Sequence, residues 1–260
     1  MFLLSSSSPK LPGGYRLVRL ETVDSTNAEA SRRADAGEPG PLWVWSARQS
    51  AGRGRAGREW HSQAGNLFAS LLIGVACPLR TASQLALLSG VAAFDTVVKL
   101  LGDEPHPEVL LKWPNDVLLG AGKVAGMLLE STAKSVPNRS IVVIGTGINL
   151  AHYPEALSPP ATSLAAHGVK VTPAVALETL AGMTDQWLTR WDAGASFGVI
   201  RRAWLDRAGP TGRMLRVRLT DEQETEGLFA GLDSSGALRL LSSDGSERRV
   251  AAGDVFFGNR

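Results

Sequence analysis

Apolar residues recur along residues 15–210 with two different periods, and each period predicts one kind of element. Spacings of three and four residues predict amphipathic helices over 83–101 and 173–191, and Thr26 followed by Glu29 resembles a capping box that starts a helix over about 27–36. Shorter apolar runs predict strands. The predicted strands are 15–20, 42–47, 66–73, 108–113, 117–119, 123–130 and 141–144, of which the last two pair antiparallel.

The pattern changes near Pro210. Short alternating runs follow at intervals of about eight to twelve residues, separated by Asp-Ser-Ser-Gly and Asp-Gly turns, and this spacing predicts a small β-barrel. Its predicted strands include 215–219, 228–232, 238–241 and 255–257. We therefore divide the chain into a disordered tail, 1–14, a main domain, 15–210, and a C-terminal barrel, 211–260.

Composition and charge narrow the classes of protein that remain. The chain has 260 residues, 44% of them hydrophobic, which is enough for a substantial core. A net charge of +2 argues against general nucleic-acid binding, and we find neither a secretory leader nor an apolar run of membrane-spanning length. The single cysteine, Cys77, fits a reducing compartment, so we expect a cytoplasmic protein that does not bind membranes.

Residues 46–62 carry the strongest chemical signal. Arginines and glycines alternate there, between the predicted strands 42–47 and 66–73. Glycines let the backbone approach a ligand, and guanidinium groups bind carboxylate and phosphate oxygens in pairs, so the stretch is typical of a loop that folds around an anion. A solvated basic turn is the alternative. A dinucleotide-binding G-x-G-x-x-G site is excluded, because a strand rather than a helix follows.

Two further clusters lie at the ends of predicted strands. Lys112, Asn115 and Asp116 flank a Trp-Pro turn and are expected to lie close together, although an ordinary Asn-Asp turn with a lysine whose charged end reaches solvent accounts for them about equally well. The Gly-Thr-Gly-Ile-Asn run at 145–149 suggests close approach of the backbone to another group, with a plain turn as the alternative.

Several weaker signals have simple explanations. Ser25 and Thr26 are accounted for by helix capping alone. Gly122-Lys123 is not a P-loop, because Val124 stands where a Ser or Thr is required. The G-x-S-x-G run at 194–198 follows a helix rather than a strand and is expected to be a loop between helices. The histidines are scattered and assemble neither a metal site nor a catalytic triad.

Five short motifs occur in order along the chain. They are Asp-Ser-Thr-Asn at 24–27, Gln-Ser-Ala-Gly-Arg-Gly-Arg-Ala-Gly-Arg at 49–58 with Trp60, Lys-Trp-Pro-Asn-Asp at 112–116, Gly-Lys-Val-Ala-Gly-Met-Leu at 122–128 and Gly-Thr-Gly-Ile-Asn at 145–149. In this order and spacing they resemble the biotin-protein ligase family over nearly the whole chain. The resemblance implies an α+β fold with a mixed, largely antiparallel sheet and packed helices, similar to class II synthetases, and a C-terminal SH3-like barrel.

The resemblance also implies roles for individual residues. The residues implied for biotin are Ser25, Thr26, Gln49, Arg53, Lys123, Gly126 and Leu128. The residues implied for ATP are Arg55, Arg58, Trp60, Asn115 and Asn149. Lys112, Arg55 and Asp116 are implied as catalytic, with Asp116 also near a magnesium ion. One departure concerns adenine: some relatives carry a covering Trp after the Gly-Ile-Asn motif, where this chain has Pro-Ala-Thr-Ser-Leu at 160–164.

The implied reaction activates biotin with ATP and Mg²⁺ to biotinyl-5'-AMP, then transfers biotin to a lysine of a biotin carboxyl carrier protein or domain. Which residue accepts the lysine proton is open, with Asp116 as a candidate. Some relatives carry an N-terminal DNA-binding domain, and the short segment before the first predicted strand leads us to expect no DNA binding here. The oligomeric state is open.

Two other functions stay in view. One is a lipoate or octanoate ligase or transferase on a related fold, although a simple acyl transferase would not need so many cationic residues. The other is a catalytically inactive binding protein that keeps the pocket. Activity assays, rather than sequence, separate these from a biotin ligase.

Overall fold

The computed structural model describes residues 8–155, 160–219 and 221–257. Alternation along the strands decides how the main domain is layered, as β2 illustrates. Trp43 and Trp45 point from one face of the sheet into the larger core, whereas Leu42 and Val44 point from the other face into a smaller core. Both faces of this strand are buried, so the sheet is covered by helices on its two sides.

A seven-stranded sheet forms the centre of the main domain. Its strands are β1 (Arg16–Val23), β2 (Leu42–Gln49), β3 (Leu67–Val75), β4 (Val109–Lys112), β5 (Asp116–Leu119), β6 (Gly122–Ser131) and β7 (Ser140–Ile148). They lie in the order β1-β2-β3-β7-β6-β5-β4. Only β1 and β2 pair in parallel, and every other described neighbour pair in this sheet is antiparallel. The predicted mixed, largely antiparallel sheet is confirmed.

Helices cover the two faces unequally. They are α1 (Thr26–Asp35), α2 (Leu79–Ala82), α3 (Leu85–Leu101), α4 (Pro173–Trp191) and α5 (Phe197–Leu205). The small helix α1 packs through Ala30 and Ala34 on the face that carries Leu72 and Val143. The helices α3, α4 and α5 pack together over the opposite face. Because α1 is only 10 residues long, it leaves part of its face uncovered.

The three predicted helices, which are α1, α3 and α4, and all seven predicted strands of the main domain are confirmed, with small changes at their ends. Strand β7 is longer than predicted, because it continues through Gly145 and Gly147 to Ile148. The plain-turn alternative for these glycines is therefore wrong. The connection between α4 and α5 is residues 192–196, so the expected loop at 194–198 is confirmed only for residues 194–196, and residues 197 and 198 begin α5. The short helix α2 was not predicted.

The C-terminal segment forms a separate five-stranded antiparallel sheet, as expected. Its strands are β8 (Met214–Arg218), β9 (Glu224–Leu232), β10 (Leu238–Leu241), β11 (Glu247–Val250) and β12 (Asp254–Phe257). They lie in the order β11-β10-β9-β8-β12, and β11 was not predicted. Arg201 of α5 donates a hydrogen bond to the Leu232 carbonyl over 2.7 Å, and Trp113 donates one to the Gly236 carbonyl over 3.3 Å. These bonds link the C-terminal sheet to the main domain.

Residues 8–14 differ from the predicted disordered tail, whose first seven residues lie outside the described part of the chain. Pro9 is buried, Leu11 packs against the main core, and the Lys10 amide donates a hydrogen bond to Glu178 over 3.0 Å. Residues 9–11 therefore pack against the main domain, with a hydrogen bond to α4, and residues 13 and 14 form a turn before β1.

The segment Leu79–Leu101, which contains α2 and α3, is long and apolar enough to cross a membrane by length and composition. This corrects the expectation that no apolar run reaches that length. Within the structure, 61% of its most apolar window is buried, and α3 packs between the sheet and the helices α4 and α5. A central core helix has these properties, so its apolar character is explained by packing within the protein.

Candidate active site

A cavity of about 380 Å³ opens on the sheet face that carries α1, beyond the N-terminus of that helix. Leu72 and Val143 are paired on this face under α1. Two and four residues further along β7, the same face presents Gly145 and Gly147, and β6 presents Gly126 opposite Gly147. Because these positions have no side chains, the floor of the cavity is formed by strand backbone.

Every residue that the sequence assigned to a site lines this cavity. They are Ser25, Thr26, Gln49, Arg53, Arg55, Arg58, Trp60, Lys112, Asn115, Asp116, Lys123, Gly126, Leu128 and Asn149. These residues come from the α1 N-terminus, the β2–β3 loop, the β4–β5 turn and the strands β6 and β7. The sheet order brings them together, because β3, β7, β6 and β5 are neighbours.

The α1 N-terminus forms an uncharged polar end of the cavity. Ser25 is the N-cap, and its hydroxyl accepts a hydrogen bond from the Ala28 amide over 3.5 Å. The Gln49 carbonyl oxygen accepts hydrogen bonds from the Thr26 amide and hydroxyl, over 2.8 and 3.1 Å. Capping therefore accounts for Ser25, but Ser25 and Thr26 are also buried in the cavity wall, where their hydroxyl groups can meet a ligand.

Asp24 stabilises this helix start from outside the cavity lining. Its two carboxylate oxygens each accept a hydrogen bond from Arg32 over 2.8 Å, and one also accepts a bond from the Ser25 amide over 2.7 Å. The Arg32 bonds lower the pKa of Asp24 to about 2. The first residue of the Asp-Ser-Thr-Asn motif therefore orients the next three and has no contact with the cavity among those described.

Two hydrogen bonds and one partly exposed ion pair join the α1 N-terminus to the arginine-rich loop. Ser70 donates to the Asn27 side-chain oxygen over 2.6 Å, and the Asn27 amide donates to Glu130 over 2.7 Å. Glu130 lies 3.5 Å from the Arg53 guanidinium. Asn27 fits because it faces Gly145, where a Cβ would lie 2.2 Å from the Asn27 oxygen. The polar end of the cavity is therefore held rigidly by paired groups.

Trp60 lies on the glycine floor. A Cβ on Gly147 would lie 2.4 Å from the indole ring, and a Cβ on Gly126 would lie 2.9 Å from it. The Lys123 ammonium is 5.1 Å from the ring centroid. Gly126 and Lys123 are both assigned to biotin, so these contacts favour a position for Trp60 beside biotin. The resemblance had implied a position beside ATP. Its indole nitrogen is buried and has no hydrogen-bond partner within the described structure.

Lys112 lies at the end of β4, with only 8% of its surface exposed. It is paired in register with Asp116 across the β4–β5 turn, and its ammonium is 5.8 Å from the Phe256 ring centroid. Burial lowers the pKa of Lys112, and the Asp116 charge opposes this shift. Asp116 itself contacts the Lys123 ammonium over 2.6 Å. The alternative of a solvent-directed lysine at an ordinary turn is therefore wrong.

The arginine-rich loop extends over the cavity and reaches the C-terminal sheet. Arg58 donates a hydrogen bond to Asp254 over 2.8 Å, and Arg55 donates one to the Gly253 carbonyl over 3.1 Å. Burial lowers the pKa of Arg55. The loop is thus attached to the protein by specific pairs at three of its arginines, counting Arg53, rather than being a solvated basic turn.

Asn149 has a structural partner within the protein. Its side-chain nitrogen donates a hydrogen bond to the Thr162 carbonyl over 3.0 Å, and the Thr162 amide donates to the Lys123 carbonyl over 3.0 Å. These bonds hold residues 160–162 along the start of β6, where Ala161 lines the cavity. Asn149 therefore positions the segment that stands where some relatives have a covering Trp.

The sequence analysis did not assign several of the cavity residues to the site, among them Asn27, Phe68, Asp254 and Phe256. Asn27 closes the Asp-Ser-Thr-Asn motif, so its place in that motif was a usable signal. Phe68 lies two residues before Ser70 on β3 and could have been found by strand alternation. Asp254 and Phe256 belong to the C-terminal sheet, and no local pattern indicates that they reach the main domain.

Comparison with known proteins agrees with this geometry. Residues 20–149 match the Biotin/lipoate A/B protein ligase family, and residues 212–258 match the Biotin protein ligase C terminal domain. The chain is 40% identical to a biotin--[acetyl-CoA-carboxylase] ligase of Paracoccus denitrificans over 92% of its own length and 99% of the relative's. It is 34% identical to the ligase of the same name from Mycobacterium tuberculosis, over 94% and 89% of the two chains.

A solved structure supports the same assignment for the fold. The biotin protein ligase of Aquifex aeolicus in complex with biotin and ATP superposes with a TM-score of 0.77 and 25% identity. The match covers 94% of this chain and 99% of that one, so it includes both the main domain and the C-terminal sheet. Sequence, fold and cavity agree, and the chain belongs to the biotin protein ligases of the biotin/lipoate A/B protein ligase family.

Proposed function

We propose that the protein activates biotin with ATP to biotinyl-5'-AMP and transfers the biotinyl group to a lysine of a carrier protein or domain of a carboxylase. The observation that carries this proposal is the division of one cavity into two chemically different ends. Uncharged hydroxyl and amide groups surround the α1 N-terminus, whereas Arg and Lys side chains surround the β4–β5 turn and the loop. The names of the relatives and the biotin and ATP complex support the same choice.

The polar end suits the ureido ring of biotin. That ring offers both hydrogen-bond donors and an acceptor, and Ser25, Thr26 and Gln49 supply the complementary groups. Lipoate and octanoate offer no comparable donors and acceptors at the corresponding end, so the hydrogen-bonding capacity that these groups do not already use within the protein would be buried unpaired. Unpaired buried groups of this kind cost about 1–3 kcal/mol each, which is enough to discriminate against such acids.

The cationic end suits the first chemical step. Five Lys and Arg side chains and three Asp and Glu side chains line the cavity, an excess of two positive charges. The biotin carboxylate is already ionised at neutral pH, so it attacks the α-phosphorus without a general base, and pyrophosphate leaves as the new acyl–phosphate bond forms. At about 4 Å and an effective dielectric of about 20, each aligned charge is worth roughly 4 kcal/mol before desolvation.

Magnesium is expected to arrive with ATP rather than to occupy a site made by the protein. The described residues contain no cluster of three His, Cys, Asp or Glu side chains suited to a metal. Mg²⁺ commonly binds through substrate phosphates and one or two carboxylates, and it would offset phosphate charge in this cavity. Asp116 is the carboxylate best placed to contribute, although here it is paired with Lys123.

In the second step the acceptor lysine attacks the acyl carbon, the bond to AMP breaks, and the amine loses a proton. Asp116 is our candidate for accepting that proton, because it lines the cavity beside Lys112. We propose the biotin carboxyl carrier protein of acetyl-CoA carboxylase or a related carboxylase as the acceptor, from the names of the relatives. A cytoplasmic location fits such a partner and the free thiol of Cys77.

ATP–pyrophosphate exchange tests the proposed function directly. We expect exchange that requires both Mg²⁺ and biotin, followed by labelling of a carboxyl carrier domain at one lysine. Lipoate and octanoate, supplied in parallel, should support little exchange. Exchange with lipoate or octanoate but not with biotin would indicate a lipoate or octanoate ligase. Exchange with none of the three acids would indicate a catalytically inactive binding protein.

The place of Trp60 gives a second prediction. Trp60→Ala should raise the KM for biotin by about tenfold or more, because the variant uncovers the glycine floor and loses a large apolar contact. The KM for ATP should change much less. Both constants are measured by pyrophosphate exchange, and Trp60→Phe, which keeps a ring on the floor, is the matched control. A rise in the KM for ATP alone would instead show that Trp60 contacts the nucleotide, as the resemblance implied.

A further inference from the structure

Asp254 is the first residue of β12, and it is a carboxylate that the C-terminal sheet brings to the arginine-rich loop. Its Oδ1 atom accepts a hydrogen bond from Arg58 over 2.8 Å and lies 3.7 Å from Arg55. The preceding carbonyl, that of Gly253, accepts a hydrogen bond from Arg55 over 3.1 Å. One carboxylate oxygen and one carbonyl oxygen therefore hold two neighbouring guanidinium groups.

These groups lie at the mouth of the cavity. Asp254 lines the cavity together with Arg55 and Arg58, and the Arg55 side chain is 25% exposed whereas that of Arg58 is 56% exposed. Arg55 and Arg58 repel each other, and Asp254 lies where it relieves that repulsion. Without the carboxylate, Arg55 would keep its hydrogen bond to the Gly253 carbonyl but lose the nearby negative charge, and Arg58 would regain rotamer freedom, which costs up to about 2 kcal/mol to remove again when a ligand binds.

A phosphate and Asp254 can bind the same arginines at once. Each guanidinium has five N–H donors in a planar fork, and the described contacts use only some of them. The remaining donors can face a nucleotide in the cavity. The C-terminal sheet would then prepare the loop for ATP before ATP arrives.

We propose that Asp254 is a positioning residue for the nucleotide: it holds Arg55 and Arg58 in the orientation that binds the phosphates of ATP. This inference rests on the proposed function. It gives the C-terminal sheet a defined part in the adenylation step, through a contact between residues 196 positions apart in sequence.

Asp254→Ala and Asp254→Asn test this role in biotin-dependent pyrophosphate exchange with the full-length chain. We expect Asp254→Ala to raise the KM for ATP about tenfold and to leave the KM for biotin nearly unchanged, because the polar end of the cavity is untouched. Asp254→Asn keeps an oxygen acceptor and should lose less. The matched control is Asp244→Ala, which removes an exposed carboxylate of the same sheet that bonds to its own turn at Ser246.

A purely structural tether predicts different results. It would lower the midpoint of thermal unfolding and change both KM values together, whereas the positioning role requires a change in the KM for ATP with a midpoint shift of less than about 2 °C. If the wild type is active and Asp254→Ala has the same KM for ATP, the role proposed for Asp254 is wrong, whereas the proposed function stands. A wild type without biotin-dependent exchange would overturn the proposed function and this role with it.

A double-mutant cycle removes the remaining ambiguity. Because Asp254 acts on Arg55 as well as on Arg58, adding Asp254→Ala to Arg58→Ala should raise the KM for ATP further, but by much less than the roughly tenfold rise expected of Asp254→Ala alone. Independent effects would multiply instead, and that result would also overturn the proposal.

Discussion

Lys112→Ala is expected to lower the rate of biotin-dependent pyrophosphate exchange by about 10²- to 10³-fold, the usual loss when one fixed group that stabilises transition-state charge is removed. Lys112 is almost fully buried at the end of β4, and it faces the cavity across from Asp116. Alanine would remove the ammonium from the place where two anions must meet. The measurement is the exchange rate at saturating biotin and ATP.

Two comparisons show whether the loss reflects charge rather than folding. Lys99→Ala removes an exposed lysine near the end of α3 and should behave like the wild type. Unfolding by heat should be similar in all variants. If Lys112→Ala keeps more than about a third of the wild-type rate, the proposed place of the chemistry at Lys112 is wrong.

The buried position of Lys112 also sets the expected pH dependence. Because burial lowers its pKa, the ammonium loses its proton at a lower pH than an exposed lysine would. The value of kcat/KM for ATP should therefore fall as the pH rises through the alkaline range, at a lower pH than the ordinary lysine pKa of about 10.4 would give, and remain high on the neutral side. Lys112→Arg keeps its charge throughout this range, so the fall should move to higher pH, although the fork geometry of Arg lowers the rate itself.

Much of the fold could be predicted because its signals are local. Helix spacing placed α3 and α4, and short apolar runs placed the strands of the main sheet. The length of β7 could not be predicted in the same way. Glycine is unfavourable in an isolated strand, and Gly145 and Gly147 are explained only by Asn27 and Trp60, which pack against them from distant parts of the chain.

In the site, too, local sequence motifs were informative, whereas contacts between distant segments could not be predicted. Part of the cavity lining could be predicted from motifs, but the partners of its residues could not. Asp116 contacts Lys123 because β5 and β6 are neighbours, and Trp60 lies beside Lys123 because the floor beneath it lacks side chains. Asp254 had no signal at all, since its role depends on how the C-terminal sheet packs.

Gly147→Ala gives the clearest test of the glycine floor. The added Cβ would lie 2.4 to 2.6 Å from three atoms of the Trp60 indole ring, closer than real contacts allow, so the ring must move into the cavity. Gly147 is in the middle of β7, paired with both Phe68 and Gly126, so the backbone cannot easily move instead. We expect the KM for biotin to rise by about 10²-fold, which corresponds to roughly 3 kcal/mol of lost binding.

Gly74→Ala is the matched control, because Gly74 also lies in the central sheet, on β3, but a Cβ there would meet only the Arg139 side chain at 3.7 Å, an ordinary contact. It should leave the KM for biotin unchanged. The double variant Gly147→Ala, Trp60→Ala separates the two possible causes of the loss. If the displaced ring blocks biotin, the double variant should bind biotin better than Gly147→Ala alone. If the new methyl group itself occupies the space that biotin needs, removing the ring should give no recovery, and the floor would then be shown to contact biotin directly.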